Sequence, residues 1–593
     1  MAIYNGTSAA DTLSGSAGNV NDVLNGGLGN DLYRYSLGSG NDVINDTGGW
    51  DTLQLDDPLY LFREGYAYRS GNNLVGGFNG QGRVTVKDQF LGLPVVEVLA
   101  FEDDGIPFFF SNSLTGSVSN DILIGTSSAE SITGNGGNDL MSGNEGNDLL
   151  NGGGGNDFLS GGADSDTLVG GAGNDTMIGG NGSDTYHVRN VGDIVRETNA
   201  TASTGGTDLV MSYMSSYTLG TNVENGRILA TGAANLTGNS LANVLYAGVG
   251  NNVLNGSTGT DTASYAYATA GVQVNLTLTS AQATGGSGSD RLVGIETLTG
   301  SAYADRLTGN SAANVLDGSA GSDTMIGGNG SDTYYLRNVG DIVRETNATE
   351  STGGTDLVMS YLSSYTLGTN VENGRILATG AANLTGNSLA NVLYAGVGNN
   401  VLNGSTGTDT ASYAYATAGV QVNLTFTSAQ ATGGSGSDRL VGIEKLTGSA
   451  YTDRLTGNSG ANTLDGGTGN DFLTGGAGKD LLIGGTGRDT FDFNSLSEMG
   501  ITSATRDVIS DFVRGLDKID LSTLDANAAL AGNQAFSAPV VGGTFSGAFA
   551  NAGDLYFDNG AHVLYGNADA DAAAEFAIQL LGVNTLAATD LFL

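Results

Sequence analysis

A period of nine residues governs the middle of this chain. An acidic residue recurs at Asp121, Glu130, Asp139, Asp148, Asp157, Asp166, Asp175 and Asp184, each preceded by small residues and followed two places later by an apolar one. The apolar partners are Leu123, Ile132, Met141, Leu150, Leu159, Leu168, Met177 and Tyr186. The stretch Gly152-Gly153-Gly154-Gly155-Asn156-Asp157-Phe158-Leu159-Ser160 displays the unit: glycines, an Asp, then a short strand whose second residue is apolar. Asp and Gly are ordinary turn residues. Turn preference alone gives no reason for a fixed period over many cycles, whereas stacking of like units does.

Each part of the unit has a physical use. A glycine-rich turn can take positive φ and bring backbone carbonyls together, and an Asp beside it adds a hard oxygen, so such turns favour calcium. A strand of about three residues then points one side chain inward, and stacking the turns builds a continuous apolar core with a ladder of ion sites. The expected fold class is all-β: tandem parallel β-rolls, a calcium-binding β-solenoid, followed by a C-terminal β-rich domain.

The same period runs through Asp305, Asn314, Asp323 and Asp332, and through Asp453, Asn462, Asp471, Asp480 and Asp489. Shorter runs occur at Asn243, Asn252 and Asp261 and at Asn391, Asn400 and Asp409, where Asn in place of Asp removes charge and weakens the expected ion site. The N-terminal set, Asp11, Asp22, Asp31, Asp42 and Asp51, alternates spacings of eleven and nine. A longer repeat is superimposed: residues 177–311 reappear at 325–459, shifted by 148, with seven differences that include His187 to Tyr335 and Leu278 to Phe426. Within each copy the ladders are interrupted by strand-like segments such as 208–219 and 272–279, expected to extend or cap the rolls.

Six regions follow: 1–51, N-terminal repeats; 52–113, a short non-repetitive β domain; 114–186, the regular roll; 187–334, a first tandem module; 335–489, a second; and 490–593, a C-terminal domain.

Charge narrows the partners. The formal net charge is −40, and so acidic a chain repels itself when compact unless cations neutralise its carboxylates at close range. Nucleic acid is not an expected partner, because phosphate binding needs clustered Lys and Arg, and only 21 are present against 61 acidic residues. There is no cysteine, so disulfides and thiolate metal sites are excluded. Residues 1–13 show no basic stretch followed by an apolar one, and no run approaches membrane-spanning length, so neither an N-terminal export signal nor a transmembrane segment is expected.

The nonapeptides resemble the Gly-Gly-x-Gly-x-Asp-x-apolar-x repeats of the RTX (repeats-in-toxin, haemolysin-type calcium-binding) family. That resemblance implies multiple Ca²⁺ ions, on the order of ten to twenty if most acidic turns hold one. It implies as ligands Asp31, Asp121, Glu130, Asp139, Asp148, Asp157, Asp166, Asp175, Asp184, Asp261, Asp305, Asp323, Asp332, Asp409, Asp453, Asp471, Asp480 and Asp489. Carbonyls of glycines such as Gly152, Gly154, Gly161, Gly170 and Gly179 are implied to complete the shells. A second resemblance lies in Asp507-Val508-Ile509-Ser510-Asp511-Phe512 and Gly515-Leu516-Asp517-Lys518-Ile519-Asp520-Leu521-Ser522, which look like the C-terminal domain of serralysin-type secreted proteases. With the ending Asp590-Leu591-Phe592-Leu593, it implies an uncleaved secretion signal, the type I secretion apparatus as partner during export, and an extracellular or cell-surface location. Asp558, Asp569 and Asp571 form only a degenerate version of that domain's acidic loop, and no ion is assigned there.

Enzymatic readings find little to rest on. The His-Glu-x-x-His zinc motif is absent, and the two histidines are His187, replaced by Tyr335 in the second copy, and His562. No Gly-x-Ser-x-Gly elbow is present. Paired carboxylates for glycoside or uronate chemistry stay open on composition, but residues 52–113 are short for a catalytic domain. Tyr213, Tyr217, Tyr246, Tyr265 and Tyr267 fit cross-strand packing better than a sugar-binding surface. The expected function is a secreted, non-enzymatic, calcium-binding structural protein that folds on meeting calcium outside the cell and self-assembles at the surface, as a surface-layer or matrix protein does. The alternatives are an adhesin or carbohydrate-binding array taking a cell-surface glycan, and a polysaccharide-modifying enzyme or its accessory module.

Overall fold

Successive nonapeptides fall on opposite sides of a flattened coil, so neighbours in space are eighteen residues apart and not nine. The computed structural model describes residues 113–593 apart from 200–203, 348–352 and 528, and within 1–112 the segments 3–6, 9–14, 22–25, 32–36, 40–45, 52–56, 65–70, 73–78, 82–86 and 98–101. Two units emerge, residues 1–270 with 278–295, and residues 271–277 with 296–593.

In the first unit Ser131–Thr133 pairs in parallel with Leu149–Gly154, which pairs with Thr167–Ala172 and then Thr185–Val188. The intervening nonapeptides build the facing sheet from Ile122–Ile124, Leu140–Asn144, Phe158–Gly162, Thr176–Gly180 and Ile194–Arg196. Because strand residues alternate sides, a three-residue strand sends one side chain inward. Ile132, Leu150, Leu168 and Tyr186 therefore stack in one file and Met141, Leu159 and Met177 in the other, all wholly buried. The core is the narrow apolar slot between the two sheets, and no coil could bury its one inward residue per strand alone.

The segment expected to extend the roll does so: Leu209–Ser212 follows Thr185–Val188 in parallel register and passes the ladder to Asn225–Ile228, Val244–Tyr246 and Thr262–Ser264. Nearer the N-terminus, Ile3–Asn5, Val23–Asn25 and Gly40–Asn45 pair in parallel at steps of twenty residues. Gly65–Ser70, Asn73–Phe78 and Gly82–Val86 form an antiparallel meander that joins this sheet through Gly82–Val86.

The second unit repeats the plan. Thr297–Thr299, Val315–Asp317, Thr333–Leu336, Leu357–Ser360 and Asn373–Ile376 stack in parallel, and the ladder continues through Lys445–Thr447 and Leu481–Ile483 to Asp507–Ile509. Gln273–Asn275 begins a facing sheet by pairing with Arg306–Thr308. Pairing then changes sense: Phe576–Leu580 lies parallel to Asp507–Ile509 but antiparallel to Val563–Gly566, which is antiparallel to Leu555–Asp558. Helix is nearly absent among the described residues, where Leu496–Glu498 and Ala588–Asp590 are single 3₁₀ turns. Among the described residues no helix is long and apolar enough to cross a membrane.

Candidate metal centres

The eighteen-residue register places each repeat carboxylate against the coil before it. The backbone N–H of Asp121 donates to Asp139 Oδ1 at 2.8 Å, that of Asp139 to Asp157 Oδ1 at 2.8 Å, and that of Asp157 to Asp175 Oδ1 at 2.9 Å. On the other side Glu130 donates to Asp148, Asp148 to Asp166 and Asp166 to Asp184, each at 2.8 Å. One oxygen of Asp139, Asp148, Asp157, Asp166, Asp175 and Asp184 is thus committed to holding a neighbouring coil in register. The second is left over: Oδ2 of Asp139, Asp148, Asp157, Asp166, Asp175 and Asp184 is buried without a hydrogen-bond partner.

Glycine opens the space these oxygens face. A methyl group on Gly152 would overlap Asp157 Oδ2 and stand 2.6 Å from the Gly170 carbonyl oxygen; on Gly134 it would overlap Asp139 Oδ2 and stand 2.6 Å from the Gly152 carbonyl oxygen. Gly161 supplies the corresponding carbonyl beside Asp148. Gly153 at φ 98° and Gly171 at φ 106° carry the chain around the turn in the left-handed region, where side chains are strained. The result is a row of small recesses lined by carboxylate and carbonyl oxygen. A buried anionic oxygen with no donor is costly, and a hard divalent cation supplies what is missing. The residues present therefore fit calcium.

Models of known families match on the same residues. The RTX calcium-binding nonapeptide repeat matches 4–38, 115–150, 124–159, 151–186, 231–263, 299–334 and 379–411, and the serralysin C-terminal domain of the M10 peptidases matches 415–593. This chain carries RTX calcium-binding repeats and a serralysin C-terminal domain. RTX repeats bind Ca²⁺ at multiple sites, and a C-terminal domain of this kind accompanies type I secretion, so the protein is a secreted, calcium-binding β-roll protein. The serralysin match takes in the last coils of the second module as well as 490–593. No curated protein matches the chain significantly. Among solved structures, the extracellular lipase LipA from Serratia marcescens aligns at 17% identity over 35% of this chain and 32% of its own, with a TM-score of 0.14. The alignment spans about a third of that lipase.

The geometry sorts the RTX turns into three kinds. Asp139, Asp148, Asp157, Asp166, Asp175, Asp184, Asp323, Asp332, Asp409, Asp471, Asp480 and Asp489 each keep a partnerless buried oxygen, and Asp261 accepts the Asn243 N–H at 2.8 Å. In a second kind, Ser or Thr follows the first turn glycine and its backbone N–H meets the second oxygen: Ser117 on Asp121 at 2.6 Å, Thr126 on Glu130 at 2.9 Å, Ser301 on Asp305 and Ser449 on Asp453. In a third kind Asn replaces Asp: its Oδ1 sits beside the turn glycine and accepts a turn N–H at 2.7 Å, from Asn239 at Asn243, Asn310 at Asn314 and Asn458 at Asn462, while its Nδ2 turns to the coil before. Asn243 Nδ2 donates to the Val223 and Glu224 carbonyls at 3.0 Å each, Asn314 to Glu296 and Asn462 to Glu444 at 3.1 Å. Asp31 lies outside the described residues. Gly154 bridges Gly136 in the ladder, its N–H donating to the Asn135 carbonyl.

Burial drives the electrostatics. Desolvation raises Asp139 and Asp148 to about 7, Asp157 and Asp184 to about 6 and Asp166 to about 8, against the downward pull of the backbone N–H each accepts. Repulsion from the carboxylates of adjacent coils adds to the rise at Asp139 and Asp166.

Several residues off the nine-residue count share the same task. Asp208 accepts the Asp184 N–H across 24 residues, Asp290 that of Asn252 across 38, and Asp507 that of Asp480 across 27. Insertions between coils hide them from a periodicity search. The signal available was their recurrence in the second module, where Asp356 and Asp438 do the same. His187 stacks on Tyr213 with Arg189 over that ring at 3.9 Å, and His562 Nδ1 faces the Val583 carbonyl. Tyr265 is wholly buried, while Tyr246 and Tyr267 pack together under Arg227.

Proposed function

We propose that this protein is a non-enzymatic structural component that leaves the cell unfolded, folds as its RTX turns load calcium, and self-assembles at the cell surface as a surface-layer or matrix protein. The observation carrying this reading is that the two modules repeat their exposed apolar residues as faithfully as their cores. Val191 and Val339 are 92% and 90% exposed, and Ile194 and Ile342, Tyr303 and Tyr451, and Tyr267 and Tyr415 are exposed in matching pairs. Arg227 covers Tyr267 at 3.3 Å and Arg375 covers Tyr415 at 3.4 Å. Exposed apolar groups that recur in register are what repeated contacts between copies use. The carboxylates of the repeat turns act as metal ligands in this reading, and neither histidine has a catalytic role.

Electron microscopy of the purified protein before and after calcium addition tests the proposal. Ordered arrays or filaments that appear with calcium and vanish with chelator are expected; folded, dispersed monomers at all calcium levels overturn it.

A glycan-binding reading has one observation in its favour. In the second unit a cavity of about 580 Å³ is lined by Gln421, Asn423, Phe426, Arg454, Asp492 and Asn494, with Phe426 exposed, a mix of aromatic face and planar polar groups suited to a sugar. Glycan-array binding by monomers without assembly would favour it.

A further inference from the structure

Glu197 occupies a register position where the regular roll has glycine. Gly162 pairs with Gly180, and Ile178 with Arg196, so Gly161, Gly179 and Glu197 succeed one another at one step per coil. Its carboxylate turns back over Gly179, where a methyl group would overlap Glu197 Oε1, Asp184 Oδ2 and the Tyr186 hydroxyl at once. That hydroxyl donates to Glu197 Oε1. Asp208 closes the group, its Oδ1 accepting the Asp184 N–H at 2.8 Å across a coil of 24 residues in place of the usual 18. Ligand oxygens of Asp184, Glu197 and Asp208 lie within 4.8 Å of one another.

The constellation recurs in the second module, where Asp332, Glu345 and Asp356 come together under the same limit and a methyl group on Gly327 would overlap Asp332, Tyr334 and Glu345 oxygens. All six carboxylates are at least nine-tenths buried, with exposures of 1%, 5% and 1% in the first cluster and 1%, 6% and 1% in the second. Asp184 Oδ2, Glu197 Oε2, Asp332 Oδ2 and Glu345 Oε1 have no hydrogen-bond partner. No Lys or Arg forms an ion pair with either group among the described residues. Three buried carboxylates converging on one point, two of them with unpartnered oxygens, call for a multivalent cation, and an all-oxygen set of mixed Asp and Glu suits calcium.

We propose that each module holds a calcium ion that joins one nonapeptide carboxylate to two off the period, bound by Asp184, Glu197 and Asp208 in the first and by Asp332, Glu345 and Asp356 in the second. These ions pin the two lengthened coils, where the regular ladder is broken by six extra residues. The proposal is independent of whether the protein assembles. Its test compares the full chain with the double variant Glu197→Gln/Glu345→Gln, both equilibrated with calcium and then with terbium. Calcium bound per chain falls by two in the variant, and terbium luminescence excited through tyrosine drops, because the Tyr186 and Tyr334 hydroxyls sit at the clusters. An unchanged calcium count overturns the proposal. Anomalous diffraction from the unmodified protein soaked in terbium decides the matter even if the variant does not fold. Peaks between the three carboxylates support the site; peaks confined to the nonapeptide turns refute it and leave Glu197 and Glu345 as protonated acids.

Discussion

A repeat carboxylate such as Asp157 divides its two oxygens between different tasks, one tying coils together through a backbone N–H and the other facing a recess lined by carbonyls. At Asn243, Asn314 and Asn462 the amide nitrogen instead donates to carbonyls of the coil before, and the amide oxygen accepts a turn N–H. Asn462→Asp is therefore expected to lose about 1–3 kcal/mol of stability in chelator, because a buried oxygen would face the Glu444 carbonyl unpaired. Calcium should restore most of that loss, which paired melts with and without the ion would reveal. Protonation is the other way to quiet these oxygens. Burial holds Asp139, Asp157 and Asp166 at about 7, 6 and 8, above the ordinary 3.8, so the calcium-free fold binds protons more tightly than the unfolded chain. The stability this adds is full below pH 3.8 and is lost as pH rises through about 6 to 8. Circular dichroism in chelator should accordingly show sheet regained on acidification from pH 8 to 5, and with saturating calcium the dependence should flatten. A calcium-free fold that weakens on acidification over that range would contradict the assignment. The Asp positions were legible in the sequence as a count of nine, but which had spare oxygens was not, because that depends on the residue after the first turn glycine and on carbonyls a coil away.

A coil of the roll owns one inward side chain per strand, so its elements stand or fall with their neighbours. Leu159 is wholly buried between Met141 and Met177 in the stack, while Phe158 beside it is 39% exposed. Leu159→Ala should cost about 2–5 kcal/mol, and Phe158→Ala much less, in thermal melts at saturating calcium. Gly152→Ala tests the recess: the added methyl would overlap Asp157 Oδ2 and crowd the Gly170 carbonyl, so calcium affinity and the melting temperature at saturating calcium should both fall. The strands themselves were readable from apolar periodicity. Their pairing was not, since a period of nine is equally compatible with neighbours nine or eighteen residues apart. Two sheets closing on one slot select eighteen, because adjacent nonapeptides must face each other across the core.

For the molecule as a whole, a net charge of −40 and a core of only two facing files of side chains leave little cohesion without cations. Removing calcium should convert most of the sheet signal to coil at neutral pH, with sheet returning on titration with Ca²⁺ and far less on addition of monovalent salt at equal ionic strength. Monovalent salt screens the exposed carboxylates but does not coordinate the buried oxygens. A chain fully folded in chelator at pH 7 would show that packing alone suffices. Under the proposed function the same linkage would separate export from folding, a chain short of calcium staying extended until it reaches a medium that supplies the ion.

The sequence alone determined the architecture and the ion, because a nine-residue alternation of glycine, carboxylate and a single apolar residue can bury its core and neutralise its charge only by stacking around a hard cation. It likewise carried the serralysin-type ending and the duplicated module. Tertiary structure decided the rest: the eighteen-residue register, the division of turns among spare carboxylates, backbone-capped carboxylates and amides turned to the coil before, and the meeting of Glu197 with Asp184 and Asp208. Those depend on which atoms lie one coil away, and insertions of variable length conceal that distance along the chain while hydrogen bonding and burial set it in space.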